Sequence, residues 1–292
     1  MKRPAVGVVG LGIMGSAMSA NLVRAGFRTL GYDPVAAQRK ALVRAGGVAC
    51  KSVAEVTRQA PVVVTSLPNA KALEDVCSEA SGKTIVVETS TLALEDKLLA
   101  KKLLQRKAIP MLDCPLSGTG AQARNKDLSV YASGERAAYR KCVPVFEGFA
   151  SAHYYLGDFG NGSRMKYVAN LLVAIHNVAA AEAFVLGIKA GLSPELIYKV
   201  IAGGAGGSRM FQVRGPQMVA GKYPPQIKVE VFQKDMKIIG EFATRLGVAT
   251  PLFSATVPIY NSAMAQGFGE QDTAAVCAVL ERLSNVQRGA HG

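Results

Sequence analysis

Lys166 and Asn170 stand four residues apart in Gly160-Asn161-Gly162-Ser163-Arg164-Met165-Lys166-Tyr167-Val168-Ala169-Asn170, so on a helix they share one face. Both lead into the most apolar stretch of the chain, where an amine is expensive to bury. A desolvated lysine gives up its proton more readily and can exchange it near neutral pH. An amide beside it, with one donor group and one acceptor, could hold a substrate hydroxyl. The competing reading is a lysine that lays its methylenes along an apolar helix end and keeps its ammonium in water.

A second group is Gly10-Leu11-Gly12-Ile13-Met14-Gly15, which follows an apolar run and opens a helical stretch. Gly10 permits a tight turn, Gly12 lets the backbone approach a pyrophosphate, and Gly15 lets helix and strand pack closely. Asp33 closes the next apolar run, about twenty residues on, where a carboxylate can accept from ribose hydroxyls. Such an acid repels a 2′-phosphate and favours NAD over NADP, although Arg39 and Lys40 close by leave NADP possible. The competing reading is a glycine turn without a ligand and a surface aspartate. A third group, Asp113-Cys114-Pro115-Leu116-Ser117-Gly118-Thr119-Gly120-Ala121, offers a hydroxyl and several backbone N–H groups, either as a nest for a carboxylate or as an ordinary loop.

These groups need a frame. The first half alternates short β-branched runs with helical stretches, as a doubly wound parallel sheet requires. Strands are expected over 6–9, 29–32, 62–66, 84–88, 109–112, 128–132 and 152–156, and helices over 16–25, 36–45, 70–80 and 94–107. After Gly162 the alternation stops. A long Ala/Leu/Val-rich helix is expected over 163–190, ending at Gly191, followed by helices over 194–202, 231–246, 251–266 and 273–286. The reading is an α/β protein: an N-terminal Rossmann domain over 1–161 and an all-α domain for substrate binding and oligomerisation over 162–292. A helix as apolar all round as 171–186 must be covered on every side. A second copy of the chain would cover it, so a homodimer or homotetramer is expected.

The chain has 292 residues, 49% of them hydrophobic, with 34 Lys and Arg against 21 Asp and Glu. The resulting charge of +13 is spread over both halves. No basic tail or aromatic interleaving accompanies it, so nucleic acid is not an expected partner and small anions are. Five cysteines without a CxxC and three scattered histidines suit neither a disulfide framework nor a metal site, and point to the cytoplasm. The N-terminus does not read as a secretory leader. The apolar run between Lys166 and Glu182 reads as too short for a bilayer, and no membrane role is expected.

Taken in order, the motifs resemble the β-hydroxyacid dehydrogenase family, which includes 3-hydroxyisobutyrate dehydrogenases and tartronate semialdehyde reductases. The resemblance runs from Gly10 to Gly15 through Asn21-Leu22, Ser66-Leu67-Pro68-Asn69, Ser90-Thr91 and Ser117-Gly118. It continues through Gly162, Lys166, Asn170, Glu182-Ala183, Ala190-Gly191-Leu192 and Lys234-Asp235. It implies hydride transfer between a nicotinamide and a small 3-hydroxy acid or its semialdehyde or keto form. Lys166 matches the catalytic lysine and Asn170 its partner, while Ser117 and Gly118 match the carboxylate turn, with Thr119 beside them as a further substrate-binding candidate. Leu67, Pro68 and Thr91 match cofactor contacts, and Lys234 matches a lysine that closes over the cofactor. No metal is implied.

Three departures bear on the substrate. Thr119 stands where many members have a second glycine, and Leu171 replaces a polar amide. Arg209, Phe211 and Arg214 fall in the region that lines the cleft in relatives, where an arginine could bind a second anionic or polyhydroxy group, or simply lie on the surface. His176, mid-helix in an apolar run, reads as a core or interface residue, and Cys114 as packing. Two other functions remain open on sequence. Imine reductases share this architecture but usually lack the lysine, and a non-catalytic nucleotide-binding module would typically lose the lysine or the glycine turn.

Overall fold

The valine-rich runs of the first half feed two cores at once. Val6, Val8, Val62, Val64, Ile85, Val87 and Leu112 face one core, while Val9, Val63, Val86 and Met111 face cores on the other side. That is the period of two expected of strands buried on both faces. The computed structural model describes residues 3–288 and divides into two compact units that meet between Lys166 and Tyr167.

In the first unit, β1 (Arg3–Val9), α1 (Ile13–Arg24), β2 (Phe27–Tyr32), α2 (Ala36–Arg44), β3 (Val48–Ala49) and α3 (Val53–Gln59) form one half of the winding. The other half is β4 (Val62–Thr65), α4 (Ala70–Glu79), β5 (Ile85–Glu88), α5 (Leu94–Gln105) and β6 (Met111–Asp113). The strands pair in parallel in the order β3-β2-β1-β4-β5-β6. The order reverses between β1 and β4, and the crevice outside the carboxyl ends of such strands is where ligands bind.

Next come β7 (Leu116–Ser117), α6 (Gly120–Arg124), β8 (Ser129–Ala132), α7 (Arg136–Phe149) and β9 (Ala152–Tyr155). The runs at 128–132 and 152–156 are strands as expected, but they do not extend the main sheet. They form a separate three-stranded sheet in which β7 runs antiparallel to β8 and β9 parallel to it. The chain doubles back within a few residues of β6, too short a path for another parallel crossover.

The second unit is helical. It takes up most of α8 (Asn161–Lys189) and continues with α9 (Pro194–Ile201), α10 (Arg209–Ala220), α11 (Val229–Leu246), α12 (Pro251–Ala265), a 3₁₀ turn (Thr273–Ala275) and α13 (Val276–Leu283). Its single core gathers Ala174, Val178, Ala181 and Phe184 of α8 with Ile197, Phe232, Tyr260 and Val276. The domain boundary expected at 161/162 falls in the first turn of α8, five residues before the junction of the units.

One expectation about α8 is corrected. At 29 residues, with a mean hydropathy of 1.9 over its most apolar window, it is long and apolar enough to cross a membrane. The stretch between Lys166 and Glu182 is only its middle. Within one chain a face of α8 is left uncovered: Met165, Val168, Leu172 and Leu186 lie exposed at helical spacing while Ala174, Val178 and Ala181 are buried.

Candidate active site

At the turn after β1, the three glycines have different reasons to be glycine. Gly10 has a φ of +86°, and a Cβ there would lie 2.1 Å from the Ser66 carbonyl oxygen. A Cβ on Gly15 would lie 1.8 Å from the Gly10 carbonyl oxygen. The fold itself demands both. Gly12 has an ordinary φ of −66°, and a Cβ there would meet nothing within 4 Å. Its missing side chain leaves open space at the N-terminus of α1, where no side chain caps the first N–H groups. A pyrophosphate fits that cradle, accepting from those amides. Around it, Leu11 is buried, Ile13 exposed and Met14 partly buried.

Asp33 follows β2 and is only 8% exposed. Its Oδ2 accepts the Leu11 N–H and its Oδ1 the Val35 N–H, both at 2.8 Å. The carboxylate therefore fastens the glycine turn to the end of β2, and its remaining lone pairs can still accept hydroxyls. Arg39 donates to the carbonyls of Asp33 and Pro34 and stands over the Tyr32 ring. Leu67, beyond β4, donates its N–H to Ser90 Oγ at 2.8 Å. Pro68 is exposed and Thr91 partly buried.

Ser117 ends β7, and Gly118 takes a φ of +133°. Thr119 caps α6: its Oγ1 accepts the Gln122 N–H, and its own N–H donates to Gln122 Oε1 at 2.9 Å. Thr119 is thus committed to a capping box, and its N–H is not offered to a carboxylate. What this turn presents is Ser117 and Gly118.

Lys166, partly buried, is the last residue of the first compact unit. The first turn of α8 is fixed one turn earlier, where Gly162 N–H donates to Ser133 Oγ at 2.9 Å and Ser163 N–H to Asp113 Oδ2 at 2.7 Å. In the second unit Asn170 is buried, and its Nδ2 donates to Asp235 Oδ2 at 2.9 Å. Asp235 Oδ1 is also 3.8 Å from Lys234 Nζ. Asp235 thus joins two expected site residues without being expected as one. Its place beside Lys234 was the available signal.

Neither Arg214 nor Phe211 is a surface or cleft residue. Phe211 is 2% exposed and stacks between Phe184 and Tyr198, with centroids at 5.2 and 5.9 Å. Arg214 is 1% exposed and pairs with Asp272 at 3.2 Å. Arg209 is exposed, and His176 partly buried in mid-helix. All five cysteines are buried free thiols. Burial pushes Cys142 up to about 12 and Cys114 well above the ordinary thiol value, which suits packing rather than reactivity. Among the described residues no group of three or more His, Cys, Asp or Glu is placed to hold a metal.

The sheet order, the cradle left by Gly12 and the carboxylate at Asp33 define a nicotinamide-dinucleotide oxidoreductase. The family model described as the NAD binding domain of 6-phosphogluconate dehydrogenase matches residues 5–157. One described as the NAD-binding region of NADP-dependent 3-hydroxyisobutyrate dehydrogenase matches 160–280. An L-threonate dehydrogenase of Cupriavidus necator is 34% identical, covering 94% of this chain and 95% of its own. A 2-(hydroxymethyl)glutarate dehydrogenase of Eubacterium barkeri is 29% identical over 96% of both chains. The crystal structure of a 3-hydroxyisobutyrate dehydrogenase from Salmonella typhimurium superposes with a TM-score of 0.86 at 32% identity, covering 95% of this chain and all of that one. The chain belongs to the β-hydroxyacid dehydrogenase family, and its cofactor is NAD(P).

Proposed function

We propose that the chain interconverts a small 3-hydroxy acid and its semialdehyde or keto form, with Lys166 as the proton-transfer group. The observation that carries this is the placement of Lys166 in the same compact unit as the Gly10–Gly15 cradle, one turn beyond a buried anchor at Ser163. When bound, the nicotinamide supplies the hydride acceptor or donor at its C4. In the oxidative direction Lys166, as a neutral amine, takes the hydroxyl proton of the substrate. In the reductive direction its ammonium returns that proton to the forming alkoxide. Asn170, oriented by Asp235, holds the hydroxyl, and Ser117 with Gly118 receives the carboxylate. Gly10 to Gly15, Leu67, Pro68, Thr91 and Lys234 hold the dinucleotide.

Asp33 favours NAD, because its carboxylate opposes a 2′-phosphate and Arg39 is already bonded to two carbonyls. Exposed Arg209 is the remaining candidate for a second polar group on a longer acid. The exposed stripe of Met165, Val168, Leu172 and Leu186 supports a homodimer or homotetramer. Five buried free cysteines support the cytoplasm.

The test is reduction of NAD and NADP with 3-hydroxyisobutyrate, glycerate, threonate and 2-(hydroxymethyl)glutarate, alongside Lys166→Ala. The variant is expected to bind NAD normally and to lose about 10²- to 10⁴-fold in turnover. Wild-type turnover in Lys166→Ala would remove Lys166 from the mechanism. Light scattering gives the assembly state, with a monomer as the outcome that counts against the stripe.

A further inference from the structure

Behind the dinucleotide crevice lie three charged side chains with no exposure at all: Lys97, Glu88 and Asp113. Glu88 ends β5 and Asp113 ends β6, and the two are register partners in the sheet. Lys97 comes down from α5 to within 2.6 Å of Glu88 Oε2 and 2.8 Å of Asp113 Oδ1. Burial alone would lower Lys97, but the two carboxylates on it more than reverse that and raise it, so it stays protonated.

Two carboxylates against one ammonium leave a negative charge to be met elsewhere, and the start of α8 meets it. Ser163 N–H donates to Asp113 Oδ2 at 2.7 Å, and Ser163 Oγ donates to Asp113 Oδ1 at 2.8 Å. An acid at a helix N-terminus is also favoured by the helix dipole. The fit is close, because a Cβ on Gly162 would lie 2.3 Å from the Tyr131 carbonyl oxygen and 2.6 Å from that of Asp113. On the other side, Glu88 Oε1 accepts the Ser90 N–H at 2.9 Å, and Ser90 Oγ accepts the Leu67 N–H at 2.8 Å. One continuous path therefore runs from partly buried Leu67, through buried Ser90, Glu88, Lys97 and Asp113, to Ser163, three residues before Lys166.

We propose that Asp113 is a positioning residue for hydride transfer: held by Lys97, its carboxylate fixes the first turn of α8 and so places the Lys166 amine relative to the Leu67 and Ser90 side of the dinucleotide site. This rests on the reading of Lys166 given above. Asp113 touches neither substrate nor cofactor; it acts through the helix. Proton and hydride transfer are steep in distance, and a displacement of about 1 Å costs on the order of 10²-fold.

The test compares Asp113→Asn, Ser163→Ala and Lys166→Ala in the full-length protein, with turnover expressed per dinucleotide-binding site. An Asn at 113 faces donors from both Lys97 and Ser163, and its own NH₂ must confront one of them. Asp113→Asn is expected to lower kcat by about 30- to 100-fold, with NAD affinity within about twofold of wild type and a larger solvent isotope effect on kcat. Ser163→Ala keeps the backbone cap and loses only the hydroxyl bond. About three- to tenfold in kcat is expected there, again without a change in NAD affinity. If Asp113→Asn does not fold, Ser163→Ala decides alone. Wild-type kcat per site in folded Asp113→Asn, or in Ser163→Ala where the former does not fold, overturns the positioning role. Turnover retained in Lys166→Ala instead overturns the lysine assignment, so the two failures are distinguishable.

Discussion

Among the described residues each unit holds a fully buried ionic cluster, and the two are built differently. In the first unit Lys97 serves two carboxylates, and the cluster leads to Leu67, Ser90 and the first turn of α8. In the second, Arg214 pairs with Asp272 and also donates to Gln226 Oε1, both at 3.2 Å. Asp272 also accepts the N–H groups of Gln226 and Ile227 at 2.9 Å and of Ala274 at 3.0 Å. That cluster closes on loop backbone and ends there. Burial of ions costs several kcal/mol in either place. The first cluster leads to the first turn of α8, three residues before Lys166; the second ties the segment before α11 to the turn before α13.

The sharpest way to break this comparison is Lys97→Met. It leaves two neighbouring carboxylates buried without a cation, and a loss of about 3–5 kcal/mol or more is expected by denaturant titration. Acidification should recover part of that loss, since one carboxylate can then take a proton and end the repulsion. A variant as stable as wild type at neutral pH would mean that the pair of acids is compensated by something other than Lys97. Arg214→Met is expected to cost about 3 kcal/mol, the lower end of the same range, because three backbone N–H groups still hold Asp272. Its kcat per folded molecule should stay at the wild-type value. A tenfold fall in kcat would show that the second cluster also positions the reacting groups, and the contrast between the units would be lost.

The two units also differ in how much of them could be read from sequence. The alternating valines and the glycine turn announced the first unit, because a strand period of two and a GxGxxG are local patterns. The helices α3, α6 and α7 were not expected either, and the rest of what escaped was long-range: β8 and β9 look like any other strands, and only their pairing puts them in a second sheet. In the helical unit α10 was not expected, since Gly215 and Pro216 interrupt its pattern. It is held by the burial of Phe211 and Met218 rather than by propensity. Of the proposed site, Lys166, Asn170 and Asp33 were readable from the sequence as candidates, with the roles of Lys166 and Asn170 coming from the family resemblance. Asp113, Ser163 and Lys97 were not, because a buried ion cluster brings together residues up to 75 positions apart, from Glu88 to Ser163, with no periodic trace. Arg214 was misplaced for the same reason: its partner Asp272 lies far along the chain.

Smaller substitutions separate what the fold needs from what the ligand needs within the first unit. Gly12→Ala puts a methyl group into space that no protein atom approaches, at a φ that alanine adopts freely. Stability should fall by only about 0.5–1 kcal/mol, the difference between glycine and alanine as an N-cap. NAD affinity, measured by calorimetry, should fall about tenfold or more, or about 1.4 kcal/mol. Unchanged affinity would place the pyrophosphate away from this turn.

Thr119→Ala is the mirror image, and the smallest effect. The Thr119 hydroxyl is an N-cap acceptor for Gln122 N–H at 3.3 Å, and the residue is 5% exposed. Losing a threonine cap costs about 1 kcal/mol. The reciprocal bond from Thr119 N–H to Gln122 Oε1 survives in the variant, because it uses only the backbone of residue 119. The short helix α6 should therefore persist, with a melting temperature lower by a few degrees, about 2–4 °C for a chain of this class. The KM for the hydroxy acid should move less than twofold, since Ser117 and Gly118 present the turn without Thr119. A KM raised tenfold with stability unchanged would reverse the assignment: the hydroxyl would then belong to the substrate and not to the cap.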